Sequence, residues 1–391
     1  MSESRRVYLD NAATSWPKPD SVYDAVQRAM REVGAPAGRS SYRAAGEALR
    51  LVASARERAA DLFGVGDARQ IVFALNGTDA LNIAIQGTLA AGDHVVTSSV
   101  EHNSVLRPLR YLQEQASVEV TRVACDRQGY VSAKAVKDAL RPETRLVVIS
   151  HASNVTGAIE PLDAIGELVR PHPALLLVDA AQTAGHVPCR LDELHADLLA
   201  TSGHKGLLGP LGTGILALAD GVESRVRPLR FGGTGTKSEE DRQPETLPER
   251  LETGNLNVPG LAGLAAGLQV VLERGVEAIG QQLGERTRQL CEGLQAIEGV
   301  TIHGPAATGA RTAVVSFNVR GYDPQEVAML LDSAYGIEVR SGLHCAPEIH
   351  RTLDTFPAGT VRMSLGIFND EQDVELAIRA IAEISKAALP V

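Results

Sequence analysis

From Ile71 to Asp179 the chain alternates short apolar runs with segments of helical period, a rhythm that few folds accept. The runs are IVFAL, HVVTSS, VEVTRV, RLVVIS and ALLLVD, and helices are expected between them from Asp79, Ser104, Ser132 and Pro161. A strand that is apolar on both faces must be covered on both, and each intervening helix returns the chain to the same edge. The pattern therefore predicts βα units on a largely parallel sheet. In such a sheet ligands gather at the carboxyl ends of the strands, so the residues that close each run are the candidates for chemistry.

The run Leu175 to Val178 stops on Asp179, a carboxylate at a buried strand end, which needs a cationic partner. After the next apolar run, Leu198 to Ala200, a single lysine, Lys205, sits among Ser202, Gly203, His204 and Gly206. Taken singly, an Asp that ends a strand is often a helix cap, and a Gly-flanked Lys is often a solvated loop residue. Together they suit pyridoxal phosphate, whose aldehyde is held by a lysine amine and whose pyridine nitrogen stays protonated against a carboxylate. The segments VDAAQTAG and SGHKGLLGPLGTG resemble the aspartate and lysine segments of class V aminotransferase-fold enzymes, the cysteine desulfurases and selenocysteine lyases in particular. The resemblance runs from VYLDNAATS to the final helices. It implies an α/β, PLP-dependent aminotransferase fold of type I, with a mainly parallel sheet in a large domain and a smaller α+β C-terminal domain.

A break in pattern locates the boundary. Around Arg230 to Leu256 the chain turns polar, Gly-rich and charged, which reads as a lid or as a piece reaching a partner subunit. The expected domains are 13–257 and 258–391, with residues 1–12 packing against the second. Helices are expected from Ser21 to Glu32 and from Ala44 to Phe63 in the first domain. In the second, a continuous helical stretch from Val258 to about Ile297 precedes strands at Val300 to His303, Ala313 to Asn318, IEVR and TVRMS, with helices from Pro324 and Asp370. The net charge of -10 argues against nucleic acid as a partner, and no apolar run is long enough for a membrane span. The first residues lack the apolar middle of a signal peptide, so the expected location is the cytoplasm. Four widely spaced cysteines suit reduced thiols better than a disulfide framework.

Further candidates lie at other strand ends. Gly77 and Thr78 open an amphipathic helix directly after a strand, and exposed backbone N–H groups with a hydroxyl there suit a phosphate, though a plain N-cap reads the same way. The resemblance assigns them to the cofactor phosphate, completed by Ser202 and His204, with Gly232 and Gly233 approaching from the neighbouring subunit of a homodimer. His102 either caps the next helix or stacks on the cofactor and exchanges protons near neutral pH, and the resemblance favours the latter. Asn154 and Gln182 are amides placed to hold the cofactor's phenolic oxygen, and Asn154 also meets the substrate. Arg362, on a late strand, matches the family arginine that pairs with the substrate carboxylate.

Cys345 admits three readings: a buried small hydrophobe, a metal ligand with His344 and His350, or a thiolate stabilised by the following helix and by His344. The run Arg340-Ser341-Gly342-Leu343-His344-Cys345-Ala346 resembles the Arg-x-Gly-His-His-Cys-Ala motif around the persulfide-forming cysteine of the second group of cysteine desulfurases. Leu343 and Tyr42 depart from that family's usual histidines. The resemblance implies conversion of L-cysteine to L-alanine, with Lys205, Cys345 and His102 catalytic, no metal, and a sulfur-acceptor protein or enzyme as partner. Two alternatives remain at this level. One is a selenocysteine or carbon–sulfur lyase without a persulfide; the other is an inactive sulfur-transfer scaffold that docks through Lys237 to Arg250.

Overall fold

The computed structural model describes residues 6–38, 41–236 and 239–388. Its strands are β1 (Val7–Tyr8), β2 (Ile71–Ala74), β3 (His94–Ser98), β4 (Glu119–Val123), β5 (Thr144–Ser150), β6 (Leu175–Asp179), β7 (Leu198–Ser202), β8 (Gly214–Leu218), β9 (Val300–His303), β10 (Val314–Val319), β11 (Ile337–Glu338), β12 (Arg340–Gly342) and β13 (Thr360–Ser364). The α-helices are α1 (Asp20–Arg28), α2 (Arg43–Phe63), α3 (Gly77–Thr88), α4 (Asn103–Ala116), α5 (Ala133–Asp138), α6 (Leu162–Val169), α7 (Val258–Arg274), α8 (Val276–Gln295), α9 (Pro324–Tyr335), α10 (Pro347–Thr352) and α11 (Glu371–Ala388).

The large sheet has seven strands in the order β2-β8-β7-β6-β5-β3-β4. Neighbours from β7 through β4 run parallel, as the βα rhythm requires. β8 runs antiparallel to both β7 and β2. The reason is connection length: the segment 203–213 is too short for a crossover helix, so the chain returns in the opposite direction. Strands β3, β6, β7 and β8 are buried at every residue. Alternate residues face two separate apolar cores. Val147, Leu176, Val178 and Leu199 pack beneath α2, α6 and α7, while Leu146, Val148, Leu177 and Leu198 pack against α3 and α4.

A four-stranded antiparallel sheet, β12-β13-β10-β9, forms the smaller layer. The N-terminal strand joins that end of the molecule, with Val7 and Tyr8 pairing in parallel with Ile337 and Glu338. Three sequence expectations need correction. The helical stretch from Val258 to Ile297 is two helices, because Gly275 takes φ +80°, a conformation that an L side chain rarely adopts. The expected strand IEVR switches partners at Val339, β11 pairing with β1 and β12 with β13. The first helix keeps its α-form only to Arg28 and then continues as a single π-turn, Ala29–Val33, closed by Gly34. Among the described residues no helix is long and apolar enough to cross a membrane.

Candidate active site

Asp179 ends β6, the loop holding Lys205 follows β7, Asn154 follows β5, His102 follows β3, and Gly77 and Thr78 begin α3 just after β2. In-register pairing sets Ser150 beside Asp179 and Asp179 beside Ala200, so these strand ends lie side by side. Asp179, Lys205, Asn154, His102, Gly77 and Thr78, with Gln182, Ser202, His204, Arg340 and Arg362, line one cavity of about 460 Å³. Beyond the residues expected from the sequence, the lining includes Arg340, Asn76, Ser104 and Ser150.

The floor carries the decisive electrostatics. Asp179 Oδ1 accepts the backbone N–H of Ala181 at 2.9 Å, and among the described residues no cation forms an ion pair with the carboxylate. Burial raises its pKa above the ordinary carboxylate value, against the opposing pull of Ala181 and Lys205. Lys205 is half-buried, and its Nζ donates no hydrogen bond to a described residue. Burial lowers its amine to about 8, with Asp179 pulling the other way and Arg362 and Arg340 adding repulsion. A carboxylate without its cation and an amine near neutrality face the same space. That space suits a ligand with a basic ring nitrogen at one end and an electrophilic carbon at the other.

Lys205 is held from behind by the N-terminal loop, which sequence reasoning left without a role. Ser15 Oγ donates to the Lys205 carbonyl at 2.8 Å, and Lys18 Nζ donates to Ser15 Oγ and to the His204 carbonyl, both at 2.7 Å. The His204 ring lines the cavity and is neutral, because burial with Lys205 and Lys18 nearby depresses it to about 4.

A second pole lies at the start of α3. Asn76 caps the helix by accepting the Asp79 N–H, and the Gly77 N–H points at Ser202 Oγ, 3.2 Å away. A Cβ on Gly77 would meet that oxygen at 2.6 Å, so the close approach of α3 to β7 requires glycine. Thr78 Oγ1 and Ser104 Oγ lie 2.6 Å apart and bring a hydroxyl pair to the same corner. Helix N–H groups, the helix dipole and these hydroxyls have the chemistry of an oxyanion site such as a phosphate requires. Gly232 and Gly233 are exposed and absent from the lining, Gly232 N–H donating to Gln243 and Gly233 carbonyl accepting from Gly254.

His102 both caps α4 and lines the cavity. Its Nδ1 accepts the Ser104 N–H at 3.0 Å, which leaves the proton of the neutral ring on Nε2. Burial and the cations Lys205, Arg340, Arg362 and Arg107 hold its pKa at about 4. At neutral pH the ring is therefore uncharged and keeps its proton on Nε2. Behind it, Glu101 is wholly buried and accepts from Ser98 Oγ and Ser150 Oγ, tying β3 to β5 beneath Asp179.

The two amides are partly engaged. Asn154 Nδ2 donates to the His344 carbonyl at 2.6 Å, and Gln182 Nε2 to the Ala12 carbonyl at 3.0 Å, each keeping a second N–H for a ligand. Arg362 is 1 % exposed; its Nη2 donates to Asp10 Oδ1 at 2.6 Å and its Nη1 to the Asn154 carbonyl at 3.1 Å. Asp10 was missed, although it follows the short run Val7 to Leu9 just beyond β1.

Cys345 sits in a tight turn, with His344 at φ +48° and Cys345 at φ +60°. The turn is pinned by its carbonyl, which accepts the Asn103 N–H at 2.8 Å. The sequence assigned stabilisation of its thiolate to the next helix and to His344, and among the described residues neither makes a hydrogen bond to its sulfur. α10 has only six residues, and the His344 ring turns away to Thr360, its pKa lowered to about 2, so it carries no charge. The donor is Arg340, whose Nη2 lies 3.2 Å from Cys345 Sγ. Among the described residues no three His, Cys, Asp or Glu side chains gather as a metal ion requires, and His350 bonds Thr355 instead. Tyr42 is exposed at the start of α2, and Lys237, the first residue of the charged docking segment, lies outside the described residues.

Known proteins resemble this arrangement over nearly the whole chain. The profile of the family "Aminotransferase class-V" matches residues 7–376. A probable cysteine desulfurase of Methanothermobacter thermautotrophicus is 35% identical over 384 residues, 97% of this chain and 94% of its own. A cysteine desulfurase of Thermococcus onnurineus, solved in its apo form, superposes with a TM-score of 0.91 at 32% identity, covering 98% of this chain and 95% of its own. One from Escherichia coli does so at 0.88 and 26%, covering 98% and 96%.

Proposed function

Because the chain belongs to the class-V aminotransferase family, we propose that it is a PLP-dependent cysteine desulfurase, acting as a homodimer in the cytoplasm. The observation that carries the reading is the Asp179 carboxylate, without an ion-pair partner among the described residues, across one cavity from the amine of Lys205. Pyridoxal phosphate fits the donor set: Asp179 would hold its ring nitrogen, Lys205 its aldehyde carbon, and Gly77, Thr78 and Ser202 its phosphate. When bound, it supplies an electron sink for the carbon next to the substrate amine.

The chain's own residues do the rest. Arg362, fixed by Asp10 and by the Asn154 carbonyl, binds the carboxylate of cysteine; Arg340 adds a second cation on the same wall. Lys205, with its amine near neutrality, takes the proton from the substrate Cα and returns one to the product. His102 donates its Nε2–H toward the cavity and holds the ligand's orientation. The Cys345 thiolate, facing Arg340, attacks the substrate sulfur. A sulfur–sulfur bond forms as the carbon–sulfur bond breaks, the bonding pair stays with carbon, and protonation there gives alanine. Cys345 keeps the sulfur as a persulfide for an acceptor. Gly232 and Gly233 would reach the phosphate of the other subunit.

The test is turnover of L-cysteine by wild type and Cys345→Ser, with alanine and sulfide followed separately and bound cofactor confirmed by its absorbance. Alanine formation should collapse in the variant by at least about 100-fold while the cofactor stays. A variant as active as wild type would transfer the assignment to a lyase that needs no persulfide.

A further inference from the structure

Cys345 opens on a second cavity, distinct from the one that holds Asp179 and Lys205. It measures about 370 Å³ and shares Thr78, His102 and Ser104 with the first as a common wall. Beyond that wall it is lined by Asn82, Gln86, Arg107 and Tyr111, the last 55% exposed. No Asp or Glu lines it. Arg107 is exposed and, among the described residues, has no hydrogen bond or ion pair, whereas Arg110 on the next turn of α4 is taken by Glu114. The Arg107 charge is felt inside the site, since it is one of the cations that hold His102 neutral. Arg340 touches the sulfur itself. One cation thus touches the sulfur and a second lines the same cavity, neither with a carboxylate partner among the described residues, in a space within the range of small-ligand pockets.

We propose that this second cavity is the port through which sulfur leaves Cys345, and that it takes a small anionic thiol, one carrying a carboxylate or sulfonate near its sulfur. The proposal rests on the desulfurase reading, because it needs a persulfide on Cys345. The acceptor enters as a thiolate and attacks the outer sulfur of the persulfide. A new sulfur–sulfur bond forms, the bond to Cys345 Sγ breaks, and its electron pair returns to Sγ as the thiolate that starts the next turnover. No oxidant or reductant is consumed. Arg107 draws the acceptor's second negative group, the amides of Asn82 and Gln86 satisfy its oxygens, and Arg340 receives the charge restored to Sγ.

Two measurements test it. The first needs no turnover: Cys345 is alkylated with iodoacetate and with iodoacetamide, and the rate ratio is read by mass spectrometry, with Cys125 as the internal reference. Arg107→Glu should lower the iodoacetate-to-iodoacetamide ratio at Cys345 by about threefold or more, Arg107→Lys should keep it, and the ratio at Cys125 should not move. A ratio at Cys345 indifferent to Arg107→Glu overturns the port. The second unloads the persulfide-bearing enzyme with 2-mercaptoethanesulfonate, 2-mercaptoethanol and cysteamine at equal thiolate concentration. Wild type should prefer them in that order, the order should reverse in Arg107→Glu, and salt should flatten both. Equal rates for the three thiols overturn the port alone. Transfer to a protein thiol but to none of the three overturns the small ligand. A Cys345 that never loads with sulfur overturns the desulfurase reading, and the acceptor falls with it.

Discussion

At the scale of single residues, this molecule is organised by charges placed where water cannot reach them. Arg362 depends on one carboxylate, so Asp10→Ala leaves a guanidinium buried without its counter-charge; the expected loss is about 3 kcal/mol by denaturant unfolding. Lys205 gives a sign that can be checked against pH. The unfolded chain holds the lysine proton up to 10.5 and the folded chain only up to about 8, so Lys205 costs stability at all pH below about 8. Between about 8 and 10.5 that cost disappears, and the cofactor-free protein should gain stability as pH rises through this window. Urea unfolding of wild type against Lys205→Met measures the difference, and the variant should lack this contribution. Asp179 and Lys205 were legible in the sequence because each charge interrupts or follows an apolar run. Arg340 was not, because its meaning lies in a 3.2 Å contact to Cys345 that depends on a turn with two positive φ angles. His344, next to the cysteine in sequence, was the natural choice, but the backbone turns its ring toward Thr360.

At the scale of elements, the strand-turn-helix unit of β2 and α3 carries the clearest dependence on shape. Gly77→Ala would drive a methyl group into Ser202 Oγ, displacing the N–H groups that an oxyanion must approach. Titration of the cofactor-free variant with pyridoxal phosphate, followed by fluorescence, should show affinity at least about tenfold weaker. Gly275→Ala should cost about 1–2 kcal/mol in thermal unfolding and leave cofactor binding alone, since φ +80° there only separates α7 from α8. The sequence signalled the parallel strands well, because apolar period and length are local properties. It missed the break at Gly275 because the apolar period continues on both sides of it. It merged β11 and β12 because nothing in IEVR announces that its two halves have different partners, one of them more than 300 residues away in the chain.

At the scale of the whole molecule, the site belongs to no single segment. Ala12 holds Gln182, Ser15 and Lys18 hold the His204-Lys205 backbone, and Asn154 holds the turn of Cys345. A ligand that binds only this assembled state must stabilise the fold as a unit. At about 1,000 times its dissociation constant, pyridoxal phosphate should raise the unfolding free energy by about 4 kcal/mol, seen as a single shifted transition in calorimetry. The pairing of Val7 and Tyr8 with Ile337 and Glu338, and of Asp10 with Arg362, also fixes a timetable. On a ribosome the strand Val7–Tyr8 emerges more than 300 residues ahead of its partner and stays unpaired until Ile337 has been made and released. Asp10 waits longer still, for Arg362. A chain cut short before Arg362 lacks that pair whatever else it has folded, so an aborted product has no finished pocket in which to expose a reactive thiol. Residues 7 to 10 thus close a seam that is complete only once Arg362 has been made.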